Sequence, residues 1–211
     1  MARGRYIVFE GGEGSGKSTQ AALAAEALGA YLTREPGGTV LGENVRALLL
    51  DPSLEMGDIT EAWLMNSARV ELMLEVEVRL EQGQMVISDR SFVSTMAYQG
   101  HGRGLNLDYL RAMCQMAVQN TTPDLVIVLT VSEEVASERR RGRGVQDRFE
   151  LEQAEFHRKV NRGFLEEAEL NGYILIDGAG PAEEVAARVQ KAIQDKIRLW
   201  TELEEEKTYD C

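Results

Sequence analysis

The sequence predicts a three-layer α/β domain, a parallel sheet of five strands flanked by helices, and three observations carry that expectation. Short apolar runs alternate with helix-length amphipathic segments five times along the 211 residues. Glycine or proline stands at several of the junctions, and no linker rich in Pro, Gly or Ser, no internal repeat and no low-complexity stretch divides the chain. Parallel strands joined by right-handed helical crossovers bury such a pattern most economically.

The elements follow in order. Tyr6-Ile7-Val8-Phe9 is a continuous apolar run ending in a glycine-rich turn, as a buried parallel strand does. Lys17 to Leu28 is rich in Ala, carries Leu23, Ala27 and Leu28 on one face, and stops at Gly29. A strand follows at 30–33. From Glu61 to Glu81, Leu64, Ala68, Leu72, Val76 and Leu80 recur at four-residue steps, predicting a long amphipathic helix that Gly83 ends. Met85-Val86-Ile87 enters the next strand, and Leu105 to Val118 reads as a helix. Leu125 to Val131 is strand, its start marked by Pro123-Asp124 and its interior β-branched. Glu133 to Arg140 and Leu151 to Leu170 are helical, Tyr173 to Ile176 is the last strand, and Pro181 to Leu199 the last helix. One domain, residues 1–198, is expected. The acidic tail 199–211, with few apolar anchors, is expected to be flexible.

Composition narrows the function. Hydrophobic residues make up 44% and charged residues 27%, a globular balance. Acids outnumber bases 35 to 23, a net charge of −12, which argues against a surface that coats nucleic acid or an anionic membrane. Among the bases, 18 are Arg and 5 are Lys, favouring the planar fork that suits phosphate and carboxylate oxygens. Cys114 and Cys211 form neither a disulfide framework nor a metal-ligand spacing, as befits a reducing, cytoplasmic compartment. No apolar run approaches the roughly 18 residues of a membrane span.

The most specific signal is Gly11-Gly12-Glu13-Gly14-Ser15-Gly16-Lys17-Ser18, which fits G-x-x-x-x-G-K-[S/T] between a predicted strand and a predicted helix. Glycines let the loop wrap so that backbone N–H groups converge on phosphate oxygens at the helix N-terminus. Lys17 would reach the β- and γ-phosphates and Ser18 would ligate Mg²⁺. This places the chain in the P-loop NTPase fold class and implies a nucleoside triphosphate, without saying where its phosphate goes. No N-K-x-D guanine-reading motif follows a strand. Three further clusters suit transfer to a small anionic acceptor: Thr33-Arg34-Glu35-Pro36-Gly37-Gly38-Thr39, Asp89-Arg90, and residues 139–148, with five Arg against one acid. Bringing two polyanions together demands cations.

These residues resemble the thymidylate (dTMP) kinases of the nucleoside monophosphate kinase group, in the bacterial subtype with an arginine-rich lid. The likeness runs from Phe9-Glu10-Gly11 through Thr19, Thr33 to Thr39, Asp89-Arg90 to Ser94, Ala97-Tyr98-Gln99-Gly100, Pro123-Asp124-Leu125 and Asp147-Arg148, in the family's order. It implies ATP held by residues 11–19, Thr19 included, and Glu13 in the loop's acidic position, facing either the acceptor sugar or the magnesium environment. Arg34 and Arg90 would hold the acceptor phosphate and Arg69 the thymine carbonyl. Ser94, Thr95, Tyr98 and Gln99 would line thymine and deoxyribose, Tyr98 where a 2′-hydroxyl would otherwise go. The lid, residues 139–150, would supply the catalytic arginine: Arg143 first, with Arg139 and Arg141 behind it. Catalysis would rest on Lys17, Glu13, Arg90, Mg²⁺ and that arginine, in a homodimer.

Three positions depart from the family pattern. Met65 stands where Phe usually stacks on thymine, Ser91 follows Asp89-Arg90 in place of Tyr or His, and Thr130 ends a strand that commonly ends in Asp. Two rival readings follow: a kinase for another deoxynucleoside monophosphate, or a catalytically inactive nucleotide-binding regulator. His101 is expected to be a solvent-exposed loop residue and His157 structural. Trp63, Met113 and Met116 are expected in the core or at a subunit contact.

Overall fold

The computed structural model describes residues 3–141 and 147–209. Its centre is a five-stranded sheet: β1 (Tyr6–Glu10), β2 (Tyr31–Arg34), β3 (Val86–Asp89), β4 (Leu125–Thr130) and β5 (Ile174–Asp177). The strands run in spatial order β2-β3-β1-β4-β5, and every pairing is parallel. Ile7 faces Ile87 on one side and Leu125 on the other, so β1 is central and all its residues are buried.

Alternation along β1 makes the two outer layers. Tyr6 and Val8 meet α3 (Asp58–Glu81) and α7 (Ala154–Asn171), whereas Ile7 and Phe9 meet α1 (Lys17–Leu28) and α8 (Ala182–Tyr209). Chain order reverses on either side of β1. The crevice beyond its carboxyl end is therefore where a ligand of an open α/β sheet settles.

The expected strands and long helices are all present, with boundaries moved by a few residues. The pattern did not announce α2 (Val40–Leu50), whose Thr39 hydroxyl caps the helix by accepting from the Gly42 N–H at 2.9 Å. Nor did it announce α4 (Phe92–Thr95), which widens into a π-helical stretch at Met96–Gly102 before α5 (Leu107–Val118). The helix α6 (Glu133–Arg141) carries the first three lid arginines. At the C-terminus α8 runs past Leu199 to Tyr209, into the segment read as a flexible tail. The helix propensity of Glu, Leu and Lys outweighs the clustering of like charge there.

His101 corrects an expectation. It lies in the π-helical stretch rather than an open loop, its Nδ1 3.4 Å from Glu166 and its Nε2 3.6 Å from Glu167 of α7. The wide turn swings the ring inward, onto Gly163, where a Cβ would stand 2.7 Å from it. His157 is buried, as expected of a structural residue.

Candidate active site

The chain leaves β1 at Gly11 and resumes as helix at Lys17, so residues 11–16 turn at the carboxyl edge of the central strand. Gly11 (φ 139°), Gly14 (φ 83°) and Gly16 (φ 93°) adopt a backbone region that side chains disfavour. The turn is also tight against its surroundings: a Cβ on Gly11 would stand 2.3 Å from the Leu129 carbonyl oxygen. No side chain caps α1, which leaves its first N–H groups for an anion.

Two clefts open on either side of this loop. The first collects Glu13, Lys17, Ser18, Arg34, Met65, Arg69, Arg90, Ser94, Thr95, Tyr98 and Gln99 from four separate stretches of sequence. Every residue expected around the acceptor nucleotide is thus on one wall or another of a single cavity. The second cleft is lined by Gly14, Gly16, Thr19, Arg139, Gly178 and Val185, among others. Lys17 belongs to the first cleft and is buried, its Nζ 4.0 Å from Glu13 Oε1. Burial, reinforced by the nearby Arg90 charge, pushes its ammonium below the ordinary lysine range.

Arg90 organises the floor. It follows β3 with φ 80°, a strained value for a side-chain-bearing residue, which turns it back over the loop. Its Nη1 donates to Ser94 Oγ (2.9 Å) and Gly11 O (3.3 Å), while Nη2 donates to Tyr98 Oη (3.1 Å) and to Glu13. Burial opposes its charge, but Tyr98, Glu13 and Asp89 outweigh that and hold the guanidinium firmly protonated. The Tyr98 hydroxyl donates to Glu13 at 2.8 Å, and burial keeps it a neutral phenol. Phe149, Phe156 and Phe164 meet the Tyr98 ring edge-on at 5.6, 6.0 and 6.1 Å, so the ring is a rigid wall.

Arg69 is 2% exposed. Nε donates to Glu35 (2.7 Å), Nη1 to Asn66 and to Cys114 Sγ (3.9 Å), and Nη2 to Thr95 (2.9 Å). These bonds take four of its five N–H groups, and Arg69 also lines the cleft. Burial works against its charge; the Glu35 carboxylate more than restores it.

Other expected residues are placed less centrally. Arg34 is exposed and paired with Glu43 at 2.9 Å, on the rim of the first cleft. Arg139 donates to the carbonyls of Gly14 (3.1 Å) and Gly178 (3.0 Å), on the second-cleft side of the loop. Among the described residues Arg141 bonds back along its own helix, to Ser137 O at 3.4 Å. Arg140, which was not singled out, reaches the Glu13 carbonyl at 3.4 Å. Arg143 lies outside the described residues.

Several site residues gave no usable signal in sequence. Glu10, fully buried at the end of β1, accepts from the Ser91 N–H (2.7 Å), Ser91 Oγ (2.8 Å), the Ser94 N–H (3.1 Å) and Ser94 Oγ (2.6 Å), fixing the turn that carries Arg90. Burial pushes its carboxyl upward; Arg90 and the serines pull it back. Arg46 of α2 donates to Pro36 O at 3.0 Å and faces the same cleft as Arg34, whose charge lowers it further after burial does. Phe149 lines the cleft as well.

Hard oxygen ligands are present for a divalent cation. Asp89 Oδ1 is buried without a hydrogen-bond partner, and Ser18 and Asp89 share the walls of two adjoining clefts. No group of three or more His, Cys, Asp or Glu side chains among the described residues forms a complete metal cage. Mg²⁺ fits this sparse set, since it takes most of its ligands from phosphate and water.

Comparison with known proteins agrees with this geometry. The family model for thymidylate kinase matches residues 9–189. The thymidylate kinase of Carboxydothermus hydrogenoformans is 41% identical over 189 residues, covering 87% of this chain and 93% of that protein. That of Synechococcus sp. (strain JA-3-3Ab) is 43% identical over 202 residues, covering 91% and 96%. The crystal structure of thymidylate kinase from Ehrlichia chaffeensis superposes with a TM-score of 0.75 at 29% identity, covering 90% of this chain and 99% of that one. On sequence and fold together, the chain belongs to the thymidylate kinase family.

Proposed function

We propose that the protein transfers the γ-phosphoryl group of ATP to the 5′-phosphate of dTMP, giving dTDP and ADP. The observation that carries this is the pair of clefts meeting at the phosphate loop, one lined by Arg90, Arg69 and Tyr98 and the other by Arg139 and Thr19. An in-line displacement needs two phosphate chains end to end with cations between them. Lys17 lies at that junction.

The loop N–H groups and the α1 N-terminus bind the triphosphate of the donor, and the second cleft takes its nucleoside. Arg90, with Arg34 and Arg46 nearer the rim, holds the acceptor phosphate, and the Arg69 N–H left over by its protein partners meets a thymine carbonyl. Tyr98, braced by Phe149, Phe156 and Phe164, closes the space a 2′-hydroxyl would need. Ser18 and Asp89 would hold Mg²⁺, which when bound would supply positive charge to the transferring phosphate. Arg139 and Arg140 of α6, which reach the loop carbonyls, contribute further positive charge.

A homodimer is part of this proposal. Ile59, Trp63, Leu74 and Val78 of α3 are exposed together with Tyr109 and Met116 of α5, which packs beside it. Such a stripe on adjoining helices suits burial against a second copy. No described helix is long and apolar enough to cross a membrane, and the sparse cysteines suit the cytoplasm. A coupled ADP-release assay with dTMP, dUMP, dGMP and UMP as acceptors tests the assignment. Turnover is expected to be highest with dTMP; a higher kcat/KM for any other acceptor rejects it.

A further inference from the structure

Glu61 lies in the first turns of α3 with no exposed surface and is not itself among the residues that line the acceptor cleft. Its carboxylate gathers three side chains from separate parts of the chain, of which Gln99 lines the acceptor cleft. Oε1 accepts from Gln99 Nε2 at 2.7 Å and from Arg103 Nε at 3.4 Å. Oε2 accepts from Arg103 Nη2 at 3.3 Å and from Arg148 Nη2. Arg148 is tied in turn to the end of α2, Nε to Leu49 O at 3.0 Å and its backbone N–H to Leu50 O at 3.2 Å. It immediately precedes Phe149, which lines the cleft.

The consequence for Gln99 follows from donor and acceptor chemistry. An ionised carboxylate only accepts, so the amide of Gln99 must turn its nitrogen to Glu61. Gln99 Oε1 is left fully buried without a partner, in a side chain that lines the acceptor cleft. A buried orphan acceptor carries an uncompensated desolvation cost, which a ligand donor would recover. Arg69, with one N–H that its protein partners do not take, lines the same cleft. An acceptor and a donor in one cleft complement a pyrimidine-2,4-dione, whose ring N–H lies beside a carbonyl. They repel a 4-aminopyrimidin-2-one, where the ring nitrogen is a lone pair and the neighbouring group is an amine.

We propose that Glu61 is a positioning residue for acceptor-base selection: its carboxylate fixes the Gln99 amide with Oε1 turned to the base and clamps Arg148, at the foot of the Phe149 wall, to the same point. This deepens the dTMP-kinase reading and rests on it. In Glu61→Gln the two arginines claim the amide oxygen, the new NH₂ faces Gln99, and the Gln99 amide reverses to present donors to the cleft.

The test measures kcat/KM for dTMP and dCMP in the full-length wild type, E61Q, Q99L and E61Q/Q99L, with a thermal melt of each. The dTMP/dCMP ratio is expected to fall at least about tenfold in E61Q, the scale of one hydrogen bond reversed. The double variant should match Q99L, because Glu61 acts through Gln99. A structural role alone would lower the melting temperature and leave the ratio where it was. An unchanged ratio in E61Q, or independent effects in the double variant, overturns the proposal. Should E61Q fail to melt cooperatively, E61D takes its place: it keeps an acceptor-only group and must keep the ratio even as kcat falls, while Q99L collapses it. A folded E61D that loses the ratio overturns the proposal too. Absence of dTMP turnover in the wild type would defeat the kinase reading itself, whereas intact turnover with an unmoved ratio defeats only the role of Glu61.

Discussion

Replacing Arg90 by Lys separates the chemistry of the acceptor phosphate site from its stability. Arg90 spreads its guanidinium over Glu13, Tyr98 Oη at 3.1 Å, Ser94 Oγ at 2.9 Å and the Gly11 carbonyl at 3.3 Å. Alanine would strip Glu13 of its guanidinium partner, in a site where both side chains of the pair are 14% exposed. Removing one member of a buried ion pair costs about 3–5 kcal/mol, so loss of folding would obscure loss of activity. Lysine keeps the charge and inherits the same φ of 80°, but it is a point charge that cannot hold Glu13 and grip a phosphate in two places at once. Losing one charge-stabilising donor costs about 10²–10³ in kcat, or about 2.7–4 kcal/mol of barrier. A coupled ADP-release assay at saturating ATP with varied dTMP, beside a thermal melt, reads both quantities. The expected result is a drop in kcat of at least about a hundredfold with the melt largely preserved. A folded R90K with kcat within about threefold of wild type would show that Arg90 serves the Glu13–Tyr98 network and not the phosphate.

Three further outcomes are expected. Because burial and Arg90 hold Lys17 below the ordinary lysine range, and a triphosphate would raise it, ATP binding should take up protons at pH values above the depressed value and none below it. Calorimetry in buffers of different ionisation heat measures this, and binding without proton uptake at alkaline pH contradicts it. Met65→Phe should lower KM for dTMP several-fold with kcat unchanged, since a rigid ring at that wall of the cleft adds about 0.5–1.5 kcal/mol of stacking; a raised KM would mean the wall is already full. Trp63→Glu, at a 53% exposed position on the α3 stripe, should convert a dimer to a monomer by sedimentation, and an unaltered dimer would move the interface elsewhere.

Much of this architecture was legible because its signals are local. The apolar run at 6–9, the glycines of residues 11–16 and the helix from Lys17 sit side by side, so strand, loop and phosphate site announce one another. The acceptor residues were reached by resemblance, and the fold brings them to one cleft. What escaped depends on contacts far apart in sequence. Glu10 reads as the end of a strand until Ser91 and Ser94 are seen beneath it, and Glu61 reads as a surface helix residue until Gln99, Arg103 and Arg148 surround it. Phe149 looks like part of a basic lid, and only packing against Tyr98 turns it to the cleft. The π-helical turn at Met96–Gly102 has no periodic signature, which is why His101 was misplaced. Past Leu199, scarcity of apolar residues suggested a loose tail where helix propensity prevails.

The central claim is that the cleft beside the phosphate loop binds dTMP as the phosphoryl acceptor. The direct measurement is kcat/KM with Mg·ATP across dTMP, dUMP, dCMP, dGMP and UMP for the wild-type chain. The geometry predicts that dTMP leads and that UMP, which must fit a 2′-hydroxyl against the braced Tyr98 ring, trails by at least about a hundredfold. Equal use of UMP and dTMP, or ADP release that does not depend on any monophosphate, would contradict it.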